Sequence, residues 1–411
     1  MKIAKEMLIK LYGNDVKVPE VEKRYEKLSS VFAKTFKGPF NLYSSSGRIE
    51  ILGNHTDHNN GLVLTASISL DKIAAANISG TDYINIKSEG FSDIIVDINK
   101  LEIDKKNYGS SSALVMGIVH GFLHHKYKVG GFNAVILSNV LNGSGVSSSA
   151  SFELLVCEIL NDLFNDGQIS PVEMAKISQF AENVYFGKPC GLSDQMAIAV
   201  GNITEIDFKK PEFPKFDNVD LDFSNYSVVL TNTGGSHADL TPHYAGVRSD
   251  MEEVAKFFGE KVLREVTYSN FFKQMPSLSK KVSGRAVLRA VHFFEENLRV
   301  EKALSAIKHK DYKTLFDCIN KSGDSSYKLL QNCYVPNDTE QRIPLALEIS
   351  RQNITDGVTR IHGGGFSGTI IAILNNKEVK KYIKTMGAVF GEKNILKVNI
   401  RTVGVCKIVE E

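Results

Sequence analysis

Two histidines, an aspartate and three asparagines lie within the short segment Asn54–Asn60, which apolar residues flank on both sides. Imidazole and carboxylate groups can bind metal ions, so His55, Asp57 and His58 form one candidate set for a zinc hydrolase. Three ligands within four residues rarely converge on one ion, whereas a hydroxyl-rich ligand needs fixed donors and acceptors of this kind. We therefore expect a polar, ligand-binding loop here, with a plain hairpin turn as the simpler alternative.

Small residues dominate the segment 142–149 (NGSGVSSS), which runs directly into a segment of helical periodicity. Such a backbone can close around phosphate oxygens while the N–H groups and the positive dipole end of the helix face the anion. No lysine follows, so the segment is not a P-loop of the G-x-x-x-x-G-K-[ST] type. From these residues alone, a phosphate-binding loop and a serine-capped helix start are equally good interpretations.

Four glycines within six residues (GGGFSG, 363–368) precede an apolar, strand-like segment. Glycine is costly in chain entropy unless the backbone must approach something closely, so this segment indicates either a ligand contact or a tight strand connection. Asp194 follows another Pro/Gly loop, GKPCG at 187–191. Taken alone, an aspartate at this position predicts a helix N-cap.

The elements that must position these segments alternate irregularly between helical and strand periodicity. Helical patterns span residues 21–36, 111–127, 152–163, 171–186, 244–258, 285–307 and 312–330, and strand patterns span 40–43, 49–52, 62–64, 73–78, 83–87, 94–98, 132–138, 228–231 and 369–374. This order lacks the strict strand–helix rhythm of a doubly wound sheet, so we predict an α+β fold. A chain of 411 residues predicts two domains, which we divide as 1–180 and 181–411, with the last strand free to return to the first domain.

The composition excludes several classes of protein. Lys and Arg number 49 against 47 Asp and Glu, and the resulting net charge of +2 gives no electrostatic case for nucleic acid or an anionic membrane as a partner. Five scattered cysteines without a C-x-x-C pair are typical of reduced thiols. No apolar run approaches the ~18 residues of a membrane span, and the N-terminus has no signal-peptide core. We expect a soluble, cytoplasmic protein.

Four of these segments, in this order and at these separations, resemble the galactokinase branch of the GHMP small-molecule kinase superfamily. The family signature G-R-x-x-x-x-G-E-H-T-D-Y-x-x-G matches residues 47–61, and the phosphate loop G-L-S-S-S-A matches 145–150. The family's P-C-G-x-x-D-Q matches 189–195, and its G-G-G-F-G-G matches 363–368. Each match alone is weak evidence, but four in register over about residues 40–375 are specific.

The resemblance implies a two-domain GHMP kinase fold, with a ribosomal-protein-S5-domain-2-like N-terminal domain, a ferredoxin-like-related C-terminal domain and the active site in the cleft between them. It also implies phosphoryl transfer from ATP to the 1-hydroxyl of a galactose-like monosaccharide, with Mg²⁺ as the cofactor. Asp194 would be the general base, with Arg48 beside it. The implied sugar contacts are Asn54, His55, Asp57, Gly191 and Tyr244. The implied ATP contacts are Gly143, Ser144, Gly145, Ser147, Ser148, Ser149, Gly364 and Gly365, and the implied Mg²⁺ ligands are Ser148 and Glu182.

Three positions depart from the family pattern: Asn54 replaces Glu, His58 replaces Tyr, and Ser367 replaces Gly. The first change removes a negative charge near the sugar, which admits a substrate with an acidic or bulkier distal group, such as galacturonate or N-acetylgalactosamine. Galactose remains our leading expectation. A sugar sensor without catalysis is the alternative from another class of protein, and a monomer and a homodimer are equally open.

Overall fold

The computed structural model describes residues 3–140, 145–234 and 240–409. Its strands are β1 (Asn41–Leu52), β2 (Leu62–Ile78), β3 (Tyr83–Ser88), β4 (Ile94–Asp97), β5 (Phe132–Ser138), β6 (Ile203–Asp207), β7 (Lys215–Asn218), β8 (Tyr226–Asn232), β9 (Gly357–Ile361), β10 (Thr369–Asn375), β11 (Ile395–Val398) and β12 (Cys406–Ile408). Its α-helices are α1 (Lys5–Tyr12), α2 (Val18–Thr35), α3 (Ser111–His124), α4 (Ser148–Asn165), α5 (Pro171–Phe180), α6 (Ser193–Val200), α7 (Thr241–Phe257), α8 (Tyr268–Lys273), α9 (Met275–Leu278), α10 (Gly284–Lys308), α11 (Tyr312–Ser325), α12 (Arg342–Gln352) and α13 (Val379–Phe390).

The first sheet contains eight strands within the described ranges, with β12-β1-β2-β5-β3-β4 as its main path. β6 pairs with the first part of β2, and β7 pairs with β6. Neighbouring strands are antiparallel except for β3 and β5, which run parallel. Helices α3 to α6 bury one face of this sheet, and α1 and α2 bury the other.

β1 and β2 are long, continuous strands where the sequence pattern predicted four short ones. In β1, Ser44, Ser45 and Ser46 interrupt the apolar alternation that predicts a strand, yet all three are fully buried. The Ser151 hydroxyl of α4 donates to the backbone oxygen of Ser45 (3.0 Å), so small polar residues are accommodated beneath the helix. The register shifts twice along the β1–β2 pair, between Ser46 and Gly47 and between Glu50 and Leu52.

The second sheet is antiparallel, in the order β11-β8-β10-β9. Helices α10 and α11 cover one of its faces, and α12 and α13 cover the other. Helices α7 to α9 pack on the first half of α10 in a separate apolar cluster. The core between α10, α11 and the second sheet also includes residues of β1 and β2, so it joins the two halves of the chain. The predicted α+β class is confirmed.

Sheet membership divides the chain at a different place from the sequence-based estimate. Helix α6 packs on the first sheet, and β6 and β7 pair within it, although all three lie beyond residue 180. We therefore propose a boundary after Asn218. β12 pairs with β1, so the end of the chain returns to the first unit.

None of the helices in the described ranges combines the length and the apolarity that crossing a lipid bilayer requires.

Candidate active site

A cavity of about 580 Å³ lies between the two units. The first unit lines it with the polar loop at 54–58, the start of α4 and the loop before α6. The second unit lines it with the start of α7 and the glycine loop at 363–365. The four sequence segments with candidate chemistry therefore meet around one space.

Arg48 of β1 and Asp194 of α6 form a bidentate ion pair on the wall of this cavity. Arg48 Nε lies 2.7 Å from Asp194 Oδ1, and Arg48 Nη2 lies 2.7 Å from Oδ2. The Arg48 side chain is almost fully buried, whereas 38% of the Asp194 side chain is exposed. The arginine is therefore fixed within the protein while the carboxylate remains open to a ligand.

The sequence context alone predicted that Asp194 caps a helix, and the structure shows another role. Asp194 lies in the first turn of α6, and α6 has no side-chain cap. The Asp194 carboxylate instead pairs with Arg48 and accepts a 2.6 Å hydrogen bond from the Ser147 hydroxyl. Burial raises the pKa of Asp194, but Arg48, Ser147 and Lys188 lower it more, so the pKa lies below its usual 3.8. The carboxylate is ionised at neutral pH.

The Arg48 guanidinium is held from its other side as well. Its Nη1 donates to the backbone oxygen of Gly145, and it lies 3.3 Å from His362 Nε2. Burial first, and then the charge of Arg48, lowers the pKa of His362 well below 6.5. His362 is therefore a neutral neighbour that does not oppose the arginine charge. The family pattern did not assign a role to this histidine.

The start of α4 carries the serines expected to contact phosphate. Ser147 has a left-handed backbone with φ of 63°, and α4 begins at Ser148. This turn directs the Ser147 hydroxyl back to Asp194, so the start of α4 is directly connected to the Asp194 carboxylate. Gly143 and Ser144, which were expected to contact ATP, lie outside the described residues.

Glu182, one of the two expected metal ligands, lies in a π-helical turn (Ala181–Phe186) that continues α5. Its Oε1 accepts hydrogen bonds from Ser149 Oγ (3.1 Å) and Lys188 Nζ (3.2 Å), and its Oε2 accepts one from Gln195 Nε2 (2.9 Å). A carboxylate and a serine hydroxyl beside a phosphate-binding helix are the hard oxygen donors that Mg²⁺ takes together with nucleotide phosphates. The Lys188 ammonium shows that positive charge is stabilised here. The donor set fits Mg²⁺.

The polar loop presents Asp57 to the cavity. Asp57 Oδ1 accepts from the backbone N–H of His58 (2.9 Å), and Oδ2 accepts from that of Ser193 (3.3 Å). Burial and the charge of Asp194 raise the pKa of Asp57 above 3.8. Gly191 packs directly against this carboxylate, and a Cβ at that position would overlap Asp57 Oδ2. Glycine is therefore required for the Asp57 carboxylate to lie where it does.

Asn54, which was expected to contact the sugar, lines the cavity, but its amide is bound by protein groups. Asn54 is fully buried. Its Nδ2 donates to Glu50 Oε1 (2.9 Å) and to the backbone oxygen of Gly363 (2.7 Å). Its Oδ1 accepts from Ser326 Oγ (3.2 Å) and Asn332 Nδ2 (2.9 Å). All four hydrogen-bonding positions of the amide are thus used within the protein, and Asn54 holds the glycine loop.

His55 is likewise engaged by the protein. Its Nε2 lies 2.9 Å from the backbone oxygen of Gly364, and its Nδ1 lies 3.3 Å from His58 Nε2. Burial lowers the pKa of His55 to about 4, so the ring is neutral at pH 7. In the described residues, the acidic, histidine and cysteine side chains form no cluster of three that could bind a metal ion, and this holds for His55, Asp57 and His58 as well.

The glycine loop closes the cavity from the second unit. The Tyr244 hydroxyl of α7 donates to the backbone oxygen of Gly365 (3.0 Å). A Cβ on Gly364 would lie 2.6 Å from the Tyr244 ring, and one on Gly365 would overlap the backbone of Asn332. Tyr244, Gly364 and Gly365 thus come together at the cavity as expected, and the glycines permit the close approach.

Two family descriptions match parts of the chain: "GHMP kinases N terminal domain" matches residues 113–202, and "Galactokinase galactose-binding signature" matches residues 30–78. A galactokinase of Clostridium perfringens (strain SM101 / Type A) is 30% identical over 372 residues, which cover 88% of this chain and 93% of that relative. The chain belongs to the galactokinase family. A galactokinase of Fusobacterium nucleatum is 29% identical over 379 residues, which cover 90% of this chain and 94% of the relative.

Solved structures agree with the galactokinase-family assignment. The crystal structure of Lactococcus lactis galactokinase complexed with galactose matches with a TM-score of 0.82 and 25% identity, covering 95% of this chain and all of that one. Methanococcus jannaschii mevalonate kinase matches with a TM-score of 0.64 at 16% identity, covering 89% of this chain and 99% of that one. The mevalonate kinase match shows the shared fold. The two-domain GHMP kinase fold that the sequence implied is confirmed.

Two cavity residues of this galactokinase-family chain were missed by reasoning from sequence. Glu50 lies next to Arg48 in β1, but its side chain is only 13% exposed and contacts Arg360 Nη2 at 3.2 Å. Burial raises the pKa of Glu50 to about 7, although Arg360 and Arg48 oppose the shift. Lys188 was overlooked because lysine in a loop is usually a solvated charge. Only the ion pair with Glu182 marks it, and that contact depends on the fold.

Proposed function

We propose that this galactokinase-family protein transfers the γ-phosphoryl group of ATP to the 1-hydroxyl of galactose. The observation that carries the proposal is the Asp194–Arg48 pair, whose open carboxylate faces the cavity beside the start of α4. A phosphoryl donor at α4 and a hydroxyl acceptor at Asp194 would be neighbours. The likeness to a galactokinase complexed with galactose supports this choice of sugar.

Asp194 would accept the proton of the sugar hydroxyl. A carboxylate with a pKa below 3.8 is a weak base toward a hydroxyl that is far more basic. Proton transfer therefore has to follow the loosening of the γ-phosphoryl bond, as expected for a largely dissociative transition state. Arg48 would stabilise the developing alkoxide and keep Asp194 ionised. The bidentate contact lets one guanidinium serve both purposes.

The phosphates of ATP would lie against the start of α4. Ser147, Ser148 and Ser149 lie at this terminus, where the orientation of the backbone N–H groups and the helix dipole favour an anion. Ser148 and Glu182 would hold Mg²⁺, which would neutralise phosphate charge when bound. Gly145 lies beside this terminus, and Gly364 and Gly365 close the same cavity from the second unit.

The sugar would lie between Asp57, Gly191 and Tyr244. Asp57 lines the cavity with two oxygens that each have a further lone pair to accept a sugar hydroxyl. Gly191 would bring its backbone atoms next to the sugar ring. Asn54 and His55 would act indirectly, because their hydrogen bonds hold the glycine loop.

The loss of the family Glu at position 54 leaves another carboxyl group in this region. Glu50 lines the cavity, and its Oε1 accepts a hydrogen bond from Asn54 Nδ2 (2.9 Å). An acidic sugar such as galacturonate would meet the Asp57 carboxylate and the fraction of Glu50 that is ionised at neutral pH, which favours a neutral sugar. We also propose a cytoplasmic location, which the five free cysteines support.

ADP release against a panel of sugars tests the proposed substrate. We expect the highest kcat/KM with galactose, at least about tenfold above glucose, arabinose, N-acetylgalactosamine and galacturonate, since a missing or misplaced hydroxyl leaves a buried polar group unpaired. Reactions without sugar are the control for ATP hydrolysis. A preference for galacturonate would refute the argument from Glu50. Sugar and ATP binding without ADP release would instead indicate a sugar sensor.

A further inference from the structure

His58, where the family signature has Tyr, is part of a continuous chain of hydrogen bonds. The backbone N–H of Leu263 donates to Asn59 Oδ1 (3.0 Å). Asn59 Nδ2 lies 2.9 Å from His58 Nδ1, and His58 Nε2 lies 3.3 Å from His55 Nδ1. His55 Nε2 lies 2.9 Å from the backbone oxygen of Gly364. The chain thus runs from the helical cluster of the second unit, through the polar loop, to the glycine loop.

The two ends of this chain determine where every proton lies. The backbone N–H of Leu263 can only donate, so Asn59 accepts with Oδ1 and turns its NH₂ group toward His58. His58 Nδ1 is then an acceptor, and in a neutral ring the proton must be on Nε2. His58 Nε2–H donates to His55 Nδ1, which leaves the His55 proton on Nε2. The Gly364 carbonyl can only accept, so the direction is consistent throughout.

The surroundings keep both rings neutral. Burial lowers the pKa of His55 to about 4 and that of His58 well below 6.5. A protonated ring would break the chain, because His58 Nδ1 would become a donor facing another donor, the Asn59 NH₂ group. The neutral state is therefore the one that the hydrogen bonds require.

The chain ends on a loop that closes the cavity. Gly364 O also accepts from Asn332 Nδ2 (3.2 Å), and Asn54 Nδ2 donates to Gly363 O (2.7 Å). Of these contacts to the loop, the hydrogen bond from His55 to Gly364 O is the one that depends on a tautomer, because His55 Nε2 must carry the proton to donate it. His58 reinforces that tautomer, because its Nε2–H donates to His55 Nδ1.

We propose that His58 is a positioning residue that holds His55 as its Nε2–H tautomer and so holds the glycine loop over the cavity, against the proposed sugar contact Tyr244. The structural part of this proposal stands by itself, and its effect on sugar binding rests on the proposed function. His58 does not touch the reacting atoms. Its loss should weaken sugar binding more than ATP binding or the chemical step.

The substitutions His58→Phe and His58→Gln separate this role from simple packing. Phe fills the space but offers no donor, so we expect the KM for galactose to rise about tenfold, with a smaller rise in the KM for ATP, which Gly364 and Gly365 are also expected to contact. Gln has an amide N–H that can replace Nε2–H, so it should restore most of the galactose KM. Equal KM values for Phe and Gln would overturn the proposal.

Long-range proton–nitrogen NMR correlations of the histidine rings provide a readout that does not depend on activity. The His55 signals are assigned by their loss in His55→Gln. In the wild type and in His58→Gln, we expect His55 to be protonated on Nε2, and in His58→Phe we expect the Nδ1–H form to gain population. A wild-type His55 protonated on Nδ1 would overturn the proposal even if the protein phosphorylates galactose. The expected tautomer in a protein that fails to phosphorylate galactose would refute only the proposed function.

Discussion

Replacing Asp194 with Asn is expected to lower kcat for galactose phosphorylation roughly 1,000-fold, the range associated with loss of a general base. The amide keeps the shape of the side chain but cannot take a proton. Asp57, Gly191 and Tyr244 are unchanged, so galactose should still bind. Steady-state ADP release and isothermal titration with galactose measure the two effects separately.

Asp207→Asn is the matched control for this substitution. Asp207 also pairs with an arginine, Arg264 at 3.1 Å, but it does not line the cavity. It should retain turnover close to that of the wild type. More than a tenth of wild-type turnover in Asp194→Asn would refute the base assignment.

Replacing Arg48 with Met should lower kcat/KM for galactose roughly 100- to 1,000-fold, because the group that stabilises the developing charge is lost. The pH profile should also change. Burial raises the pKa of Asp194, and Arg48 is the largest influence that lowers it. Without Arg48 the pKa of Asp194 rises, so the carboxylate is protonated at higher pH and the acidic limb of the profile moves upward. A kcat/KM profile from pH 4 to pH 8 measures both effects.

Arg285→Met is a matched control, because Arg285 makes a similar bidentate pair with Asp250 at 2.7 and 3.1 Å outside the cavity. Removing one partner of the buried Arg48 pair can also destabilise the fold, so thermal unfolding is measured for both variants. A folded Arg48→Met protein whose acidic limb stays in place would contradict the account of the Asp194 pKa.

Much of the site could be predicted because short sequence motifs identify the loops that carry its polar groups. The glycine loop at 363–368, the serines before α4 and the loop before Asp194 were each recognisable from small residues that allow close backbone approach. The strand Phe132–Ser138 was predicted at its observed bounds, since its apolar run is short and uninterrupted. Helices α12 and α13 were not predicted at all, although both cover a face of the second sheet.

The roles of Asn54 and Glu50 could not be predicted, because both depend on contacts far along the chain. Asn54 is bound by Asn332, which is 278 positions away. A sequence motif shows that Asn replaces Glu, but not that the amide is buried among protein groups. Glu50 lies between two isoleucines of β1, and its partners Arg360 and Asn54 reach it only in the folded chain. The predicted boundary at residue 180 differs from sheet membership for a similar reason, since the pairing of β6 with β2 connects distant segments.

The product of the reaction with galactose and ATP tests the central claim most directly. Phosphorus NMR of the reaction mixture should show one sugar phosphate, coupled to the anomeric proton and formed in equal amount to ADP. This is the result expected if Asp194 faces the 1-hydroxyl. A phosphate on any other carbon, or inorganic phosphate as the only product, would contradict the proposed function.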